Sequence, residues 1–295
     1  MTEVFEAYAQ RGRNAGWRYV AAGGLALLLT VILAACIQVP LQISGLAPAD
    51  LPKRMLDPSD SVVFFSAIGV MFASLLGGLA LAARWVQGKR FGDIVGAWSW
   101  RVFGLGAAAW LAVLLVGIGL DVLLAPGGFR ISATAETPAL ALLALVAIIP
   151  QIFAEEFIFR GWLTQGLFLA LRRPMPTAVL SGLLFGAMHI PNGVPQAVSA
   201  TVFGVLLALI AIRLGGIAFS TGIHLVNNFF GSVVVVSAQD VFKGVPGVLS
   251  QSTPHLIWFD VATSCLGLTL ITVFLLRARG HGQAFEVAPQ DSPAK

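Results

Sequence analysis

The sequence predicts an all-α fold, a polytopic integral membrane helical bundle of about eight transmembrane helices, and three observations predict it. Hydrophobic residues make up 57% of the 295-residue chain and charged residues 11%, with a mean hydropathy of +0.87, whereas soluble domains carry roughly 25% charged residues. Apolar runs of spanning length recur from end to end, each able to cross about 30 Å of hydrocarbon as a helix. These runs are continuously apolar and rich in Ala, Leu and Gly, the composition of packed membrane helices, and they lack the alternation of a β-barrel.

Runs bounded by charges, Pro or Gly place the spans near 19–39, 62–83, 102–124, 138–171, 177–190, 196–212, 216–236 and 256–276. The fourth is too long for one straight crossing and carries the densest charge of any apolar run, so a tilted, kinked or partly interfacial helix is expected there. With the N-terminus inside, Arg11, Arg13, Arg18, Arg84, Lys89, Arg90, Arg101, Arg172, Arg173, Arg213, Arg277, Arg279 and Lys295 fall on the inner side, and Lys53, Arg54, Arg130 and Lys243 outside. That bias follows the positive-inside rule and predicts cytoplasmic termini joined by an even number of crossings. The net charge of +4 is thereby explained by membrane orientation, and no nucleic-acid partner is expected.

No internal repeat stands out, and no loop is long enough to fold alone. A single membrane domain over 1–279 is expected, with its catalytic core at about 138–236 and a disordered polar tail over 280–295. Cys36 and Cys265 lie far apart inside apolar runs and form neither a disulfide framework nor a CxxC site. Arginine outnumbers lysine 14 to 4, a usage that points to a GC-rich prokaryotic genome and hence a prokaryotic plasma membrane.

Ionisable groups inside hydrocarbon cost several kcal/mol each unless paired, so each one within a span is a candidate for function. They are few and they group. The fourth span carries Glu155, Glu156 and Arg160, the fifth His189, and the seventh His224 with Asn227 and Asn228. Counted at about 1.5 Å per residue from the inner ends, all three levels fall at intermediate depth.

Adjacent helical residues point about 100° apart, so Glu155 and Glu156 do not both face one cavity squarely, while Glu156 and Arg160 stack at i,i+4. Glu155 is then left without a local cation and is the candidate general base. His224 and Asn228 share a face at i,i+4, and Phe185 sits the same distance before His189. One imidazole could help Glu155 hold a water while the other, with Asn228, donates hydrogen bonds to an oxyanion. Alternatively Glu155, His189 and His224 could ligate a divalent metal such as zinc, with Asn228 in the outer shell. The cofactor expectation is accordingly none or one divalent ion.

These same residues carry a resemblance. Glu155-Glu156-Phe157-Ile158-Phe159-Arg160 resembles the EExxxR motif of the CAAX protease and bacteriocin-processing family, the Ras-converting-enzyme-like intramembrane endopeptidases. Phe185 to His189 resembles its FxxxH motif and His224 to Asn228 its HxxxN motif, in the family's order and on separate helices. The likeness implies a membrane endopeptidase in which Glu155 activates water with His189 while His224 and Asn228 stabilise the oxyanion. Glu156, Arg160 and Phe185 become structural support.

The expected partners are the lipid bilayer and a membrane-associated protein or peptide substrate. HExxH, GxSG and GxGD signatures of other intramembrane proteases are absent. Two alternatives from other classes stand beside hydrolysis: a proton-coupled transporter using the acid and histidines as a relay, and a non-catalytic immunity or scaffold protein.

Overall fold

Side chains solvated by lipid leave backbone N–H and C=O groups no partner but each other, which favours helices. The computed structural model describes residues 2–45 and 48–277, so the predicted tail over 280–295 lies outside the described residues. After the short helix α1 (Glu3–Ala9) come α2 (Gly16–Ile43), α3 (Ser61–Gln87), α4 (Phe91–Val95), α5 (Trp100–Leu124) and α6 (Thr137–Leu171). Then follow α7 (Pro174–Ala187), α8 (Val194–Leu214), α9 (Ala218–Phe229) and α10 (Ile257–Arg277). The all-α polytopic class holds: α2, α3, α5, α6, α8 and the helix ending at Arg277 are long and apolar enough to cross a membrane.

Each of the eight predicted runs folds as a helix, yet among the described residues six helices, not eight, have the length of a span. The fifth run gives the 14-residue α7 and the seventh the 12-residue α9, followed by a π-helical turn over Phe230–Val234. α7 starts on Pro174 and stops before Pro191 and the left-handed Gly193, positions where a helix cannot continue. The long fourth run is one helix of 35 residues whose hydrogen-bond ladder changes character twice. Pro150 lies inside it, and Glu156–Leu163 takes the wider π-helical pitch, a distortion that recurs at functional sites.

A small sheet joins the loops at one end, a feature too short to register in the sequence pattern. β1 (Phe129–Ile131), β2 (Val235–Ser237) and β3 (Leu249–Gln251) align in the order β1-β3-β2, with β3 antiparallel to β1 and parallel to β2. At the opposite end α1 folds back onto the bundle. Phe5 meets Phe168 edge-on at 5.6 Å, and the fully buried Lys89 donates from Nζ to Ala9 O (2.8 Å) and Gln165 Oε1 (3.1 Å).

Three apolar clusters hold the helices around the middle. Trp110, Phe203, Leu207, Phe219 and Leu268 join α5, α8, α9 and α10. Ala26, Leu79, Ile94 and Phe157 join α2, α3, α4 and α6. Phe65, Ile148, Ile152, Val233 and Phe242 link α3 and α6 to the loop that follows α9. Cys36 and Cys265 are free thiols.

Candidate active site

One cavity of about 550 Å³ is lined by Gln151, Glu155, Arg160, Phe185, His189, His224, Asn227 and Asn228, among others. α6 supplies the two acids and Arg160, the turn after α7 supplies His189, and α9 supplies His224 and both asparagines. Close helix approach makes this possible. A methyl group on Gly106 of α5 would strike the Phe219 carbonyl, and one on Gly222 of α9 would strike that of Phe103. Bare backbone at both crossings lets α5 and α9 come together.

His224 sits between the two glutamates. Its Nδ1 lies 2.9 Å from Glu156 Oε1 and its Nε2 3.5 Å from Glu155 Oε2. Glu156 has no exposed surface and also takes Arg160, whose Nη1 is 3.1 Å from the same oxygen. An ionised carboxylate only accepts hydrogen bonds, so Nδ1 of His224 carries a proton and donates it to Glu156. The guanidinium of Arg160 lies 4.0 Å over the Phe185 ring, a cation–π contact strengthened by burial.

Glu155 faces the cavity while Glu156 is shut behind the imidazole. Its Oε1 accepts from Gln151 Nε2 at 3.2 Å, and its buried Oε2 has no hydrogen-bond partner among the described residues. His189 lies two residues beyond the end of α7, its Nδ1 2.8 Å from Phe185 O and its ring 4.6 Å from that of Phe185. A carbonyl only accepts, so Nδ1 of His189 holds the proton and Nε2 is left as a lone pair. Asn228 donates to Gln151 Oε1 at 3.4 Å.

The sequence leaves open an arrangement of Glu155, His189 and His224 around one divalent ion. Among the described residues no group of three or more His, Cys, Asp or Glu side chains is placed to hold a metal. The Nδ1 atoms of both histidines are held, by Phe185 O and by Glu156, which leaves the Nε2 atoms as the ones open to a ligand.

Gln151, Asn227 and Trp110 also belong to the site, and sequence reading assigned them no role. Gln151 precedes Glu155 by four residues on α6, a spacing that puts both on one helix face. Trp110, which donates to Asn227 Oδ1 at 3.2 Å, lies 117 residues away, and only the packing of α5 on α9 brings it in.

Comparison with known proteins adds an independent line. The family model described as "Type II CAAX prenyl endopeptidase Rce1-like" matches residues 137–230. The match covers about a third of the chain. The matched segment runs from the start of α6 to the end of α9 and contains every motif residue quoted above. The chain is also similar to the uncharacterized protein YyaK of Bacillus subtilis (strain 168), 24% identical over 279 residues that cover 90% of this chain and 93% of that protein. No solved structure matches.

Proposed function

We propose that this chain is a membrane-embedded endopeptidase that hydrolyses a peptide bond in a membrane-associated protein or peptide, with water activated by Glu155 and His189. The observation that carries the reading is His224 held between Glu156 and Glu155 on the wall of a cavity that also exposes His189 and Asn228. Water bound at the unpartnered Oε2 of Glu155 gives its proton to that carboxylate as its oxygen attacks the carbonyl carbon. The Nε2 lone pair of His189 accepts the second hydrogen bond of the water and fixes its direction.

Charge then develops on the carbonyl oxygen. His224, set between the carboxylates of Glu156 and Glu155, acts as the imidazolium: Nδ1–H donates to Glu156 and Nε2–H to the developing oxyanion, beside an amide N–H of Asn228. Collapse of the tetrahedral intermediate breaks the C–N bond, and the proton held by Glu155 passes to the leaving amine. Glu156, Arg160 and Phe185 act through His224 and touch no reacting atom. The proposed setting is a prokaryotic plasma membrane, with the substrate admitted to a single membrane domain whose catalytic core spans about 138–236.

The test uses purified protein in nanodiscs and a library of membrane-associated peptides read by mass spectrometry. Glu155→Gln keeps shape and the Gln151 contact but lacks the base, so cleavage should fall about 10²- to 10⁴-fold with an unchanged melting temperature. Chelator-treated, metal-free protein should cleave at the untreated rate if Glu155 and His189 alone activate the water, and loss of cleavage would assign that step to an ion. Full turnover by Glu155→Gln would remove the base from the mechanism and the reading with it.

A further inference from the structure

A line of hydrogen bonds runs through the bundle from α5 to α6, and every link in it points the same way. Trp110 Nε1 donates to Asn227 Oδ1 (3.2 Å), and Asn227 Nδ2 donates to Asn228 Oδ1 (3.0 Å). Asn228 Nδ2 donates to Gln151 Oε1 (3.4 Å), and Gln151 Nε2 donates to Glu155 Oε1 (3.2 Å). We propose that Trp110, Asn227 and Gln151 are positioning residues, a one-way relay that fixes the amide of Asn228 and the carboxylate of Glu155. The proposal rests on the hydrolytic reading for what the relay serves.

The direction follows from the chemistry of its two ends. An indole N–H donates and never accepts, and an ionised carboxylate accepts and never donates. Primary amides can face either way, and three of them stand between these ends. The Trp110 side chain is fully buried, so Asn227 must turn its oxygen toward the indole or leave a buried donor without a partner. That choice obliges Asn227 to donate onward, and the same constraint passes through Asn228 to Gln151. Arriving from the other side, Glu155 requires the N–H₂ of Gln151. Both ends therefore demand one arrangement of all three amides.

The consequence falls on two atoms. One N–H of Asn228 is spent on Gln151, and the second is left for the cavity that Asn228 lines. A flipped amide would present its oxygen there and repel an oxyanion. Gln151 holds Oε1 of Glu155 and leaves Oε2, 3.5 Å from His224 Nε2, as the oxygen that accepts no hydrogen bond among the described residues. Chains of this kind polarise link by link, so each donor strengthens the next acceptor. Trp110 thus reaches the reaction centre without touching it.

The test compares Trp110→Phe, which keeps the ring and its packing on Phe203, with Asn227→Asp, Gln151→Leu and the Trp110→Phe/Gln151→Leu double variant, all in nanodiscs. Each single change should lower kcat about 10- to 100-fold with KM and melting temperature near the native values. Adding Trp110→Phe to Gln151→Leu should cost nothing further, because a broken chain cannot be broken again. A purely structural Trp110 would instead leave kcat intact, or give losses that multiply, and either result overturns the relay. Nitrogen-15 NMR gives a readout free of turnover. The Trp110 indole N–H resonance, assigned by its loss in Trp110→Phe, should move in Gln151→Leu although the two side chains do not touch. An unmoved resonance overturns the relay, whereas absence of cleavage by the native chain overturns the hydrolytic reading.

Discussion

Arg160 carries a charge with no exposed surface, and its Nε, Nη1 and Nη2 atoms find no hydrogen-bond acceptor among the described residues. Glu156 at 3.1 Å and the face of Phe185 at 4.0 Å are what offset its desolvation. Breaking a buried pair from one side leaves an uncompensated ion and costs about 3–5 kcal/mol. Glu156→Ala should therefore lower stability by that order in detergent-solubilised thermal unfolding and also release His224. Replacing both partners, Glu156→Leu with Arg160→Met, should recover most of the stability and none of the activity, because the imidazole still lacks its anchor. A Glu156→Ala protein as stable as the native one would refute the pairing. The i,i+4 rule makes Glu156 and Arg160 legible from sequence alone. The same rule is silent on His224, which takes the same oxygen from 68 residues away, because tertiary packing and not spacing decides that contact.

At the scale of elements, the eight helical runs were legible because lipid imposes one periodic, apolar signature on each. Their lengths and their irregularities were less so. The π-helical turn that begins at Glu156 has no pattern of its own, and three-residue strands fall below any alternation a sequence can display. The crossing of α5 and α9 rests on Gly106 and Gly222, glycines that a composition count reads only as a membrane trait. Gly222→Ala should push the helices apart, costing about 1–3 kcal/mol, and should lower turnover by parting Trp110 from Asn227. Native turnover in that variant would separate the crossing from the site. The docking of α1 makes a second, pH-dependent prediction. Burial pulls the Lys89 ammonium down from 10.5 to about 8, against an opposing pull from Asp93. Between those values the unfolded chain binds the proton that the folded chain has released, so stability rises with pH across that window and is flat in this term below it. Lys89→Met should erase the rise, measured as the difference in melting temperature between pH 7.5 and 9.5. An identical rise in the variant would assign it to other groups.

The whole molecule has two chemically distinct ends. Arg11, Arg13, Arg84, Lys89, Arg90, Arg101, Arg172 and Arg173 lie in or beside the segments gathered where α1 docks. Arg130 and Lys243 belong to the sheet end, and Lys53 and Arg54 to the loop before α3 that meets it at Ser59 and Gly244. By the positive-inside rule this asymmetry predicts an orientation with the α1 end in the cytoplasm. Val235, Ser237 and Gln251 of the sheet also line the cavity, so the predicted orientation would open the cavity toward the outer face. In a background lacking Cys36 and Cys265, Ser252→Cys at the exposed sheet end should react with a membrane-impermeant maleimide on intact cells. Gln10→Cys, exposed after α1, should react only once the membrane is permeabilised. Were the two patterns exchanged, the charge bias would be serving some purpose other than orientation, and the cavity would draw its peptides from the cytoplasmic face.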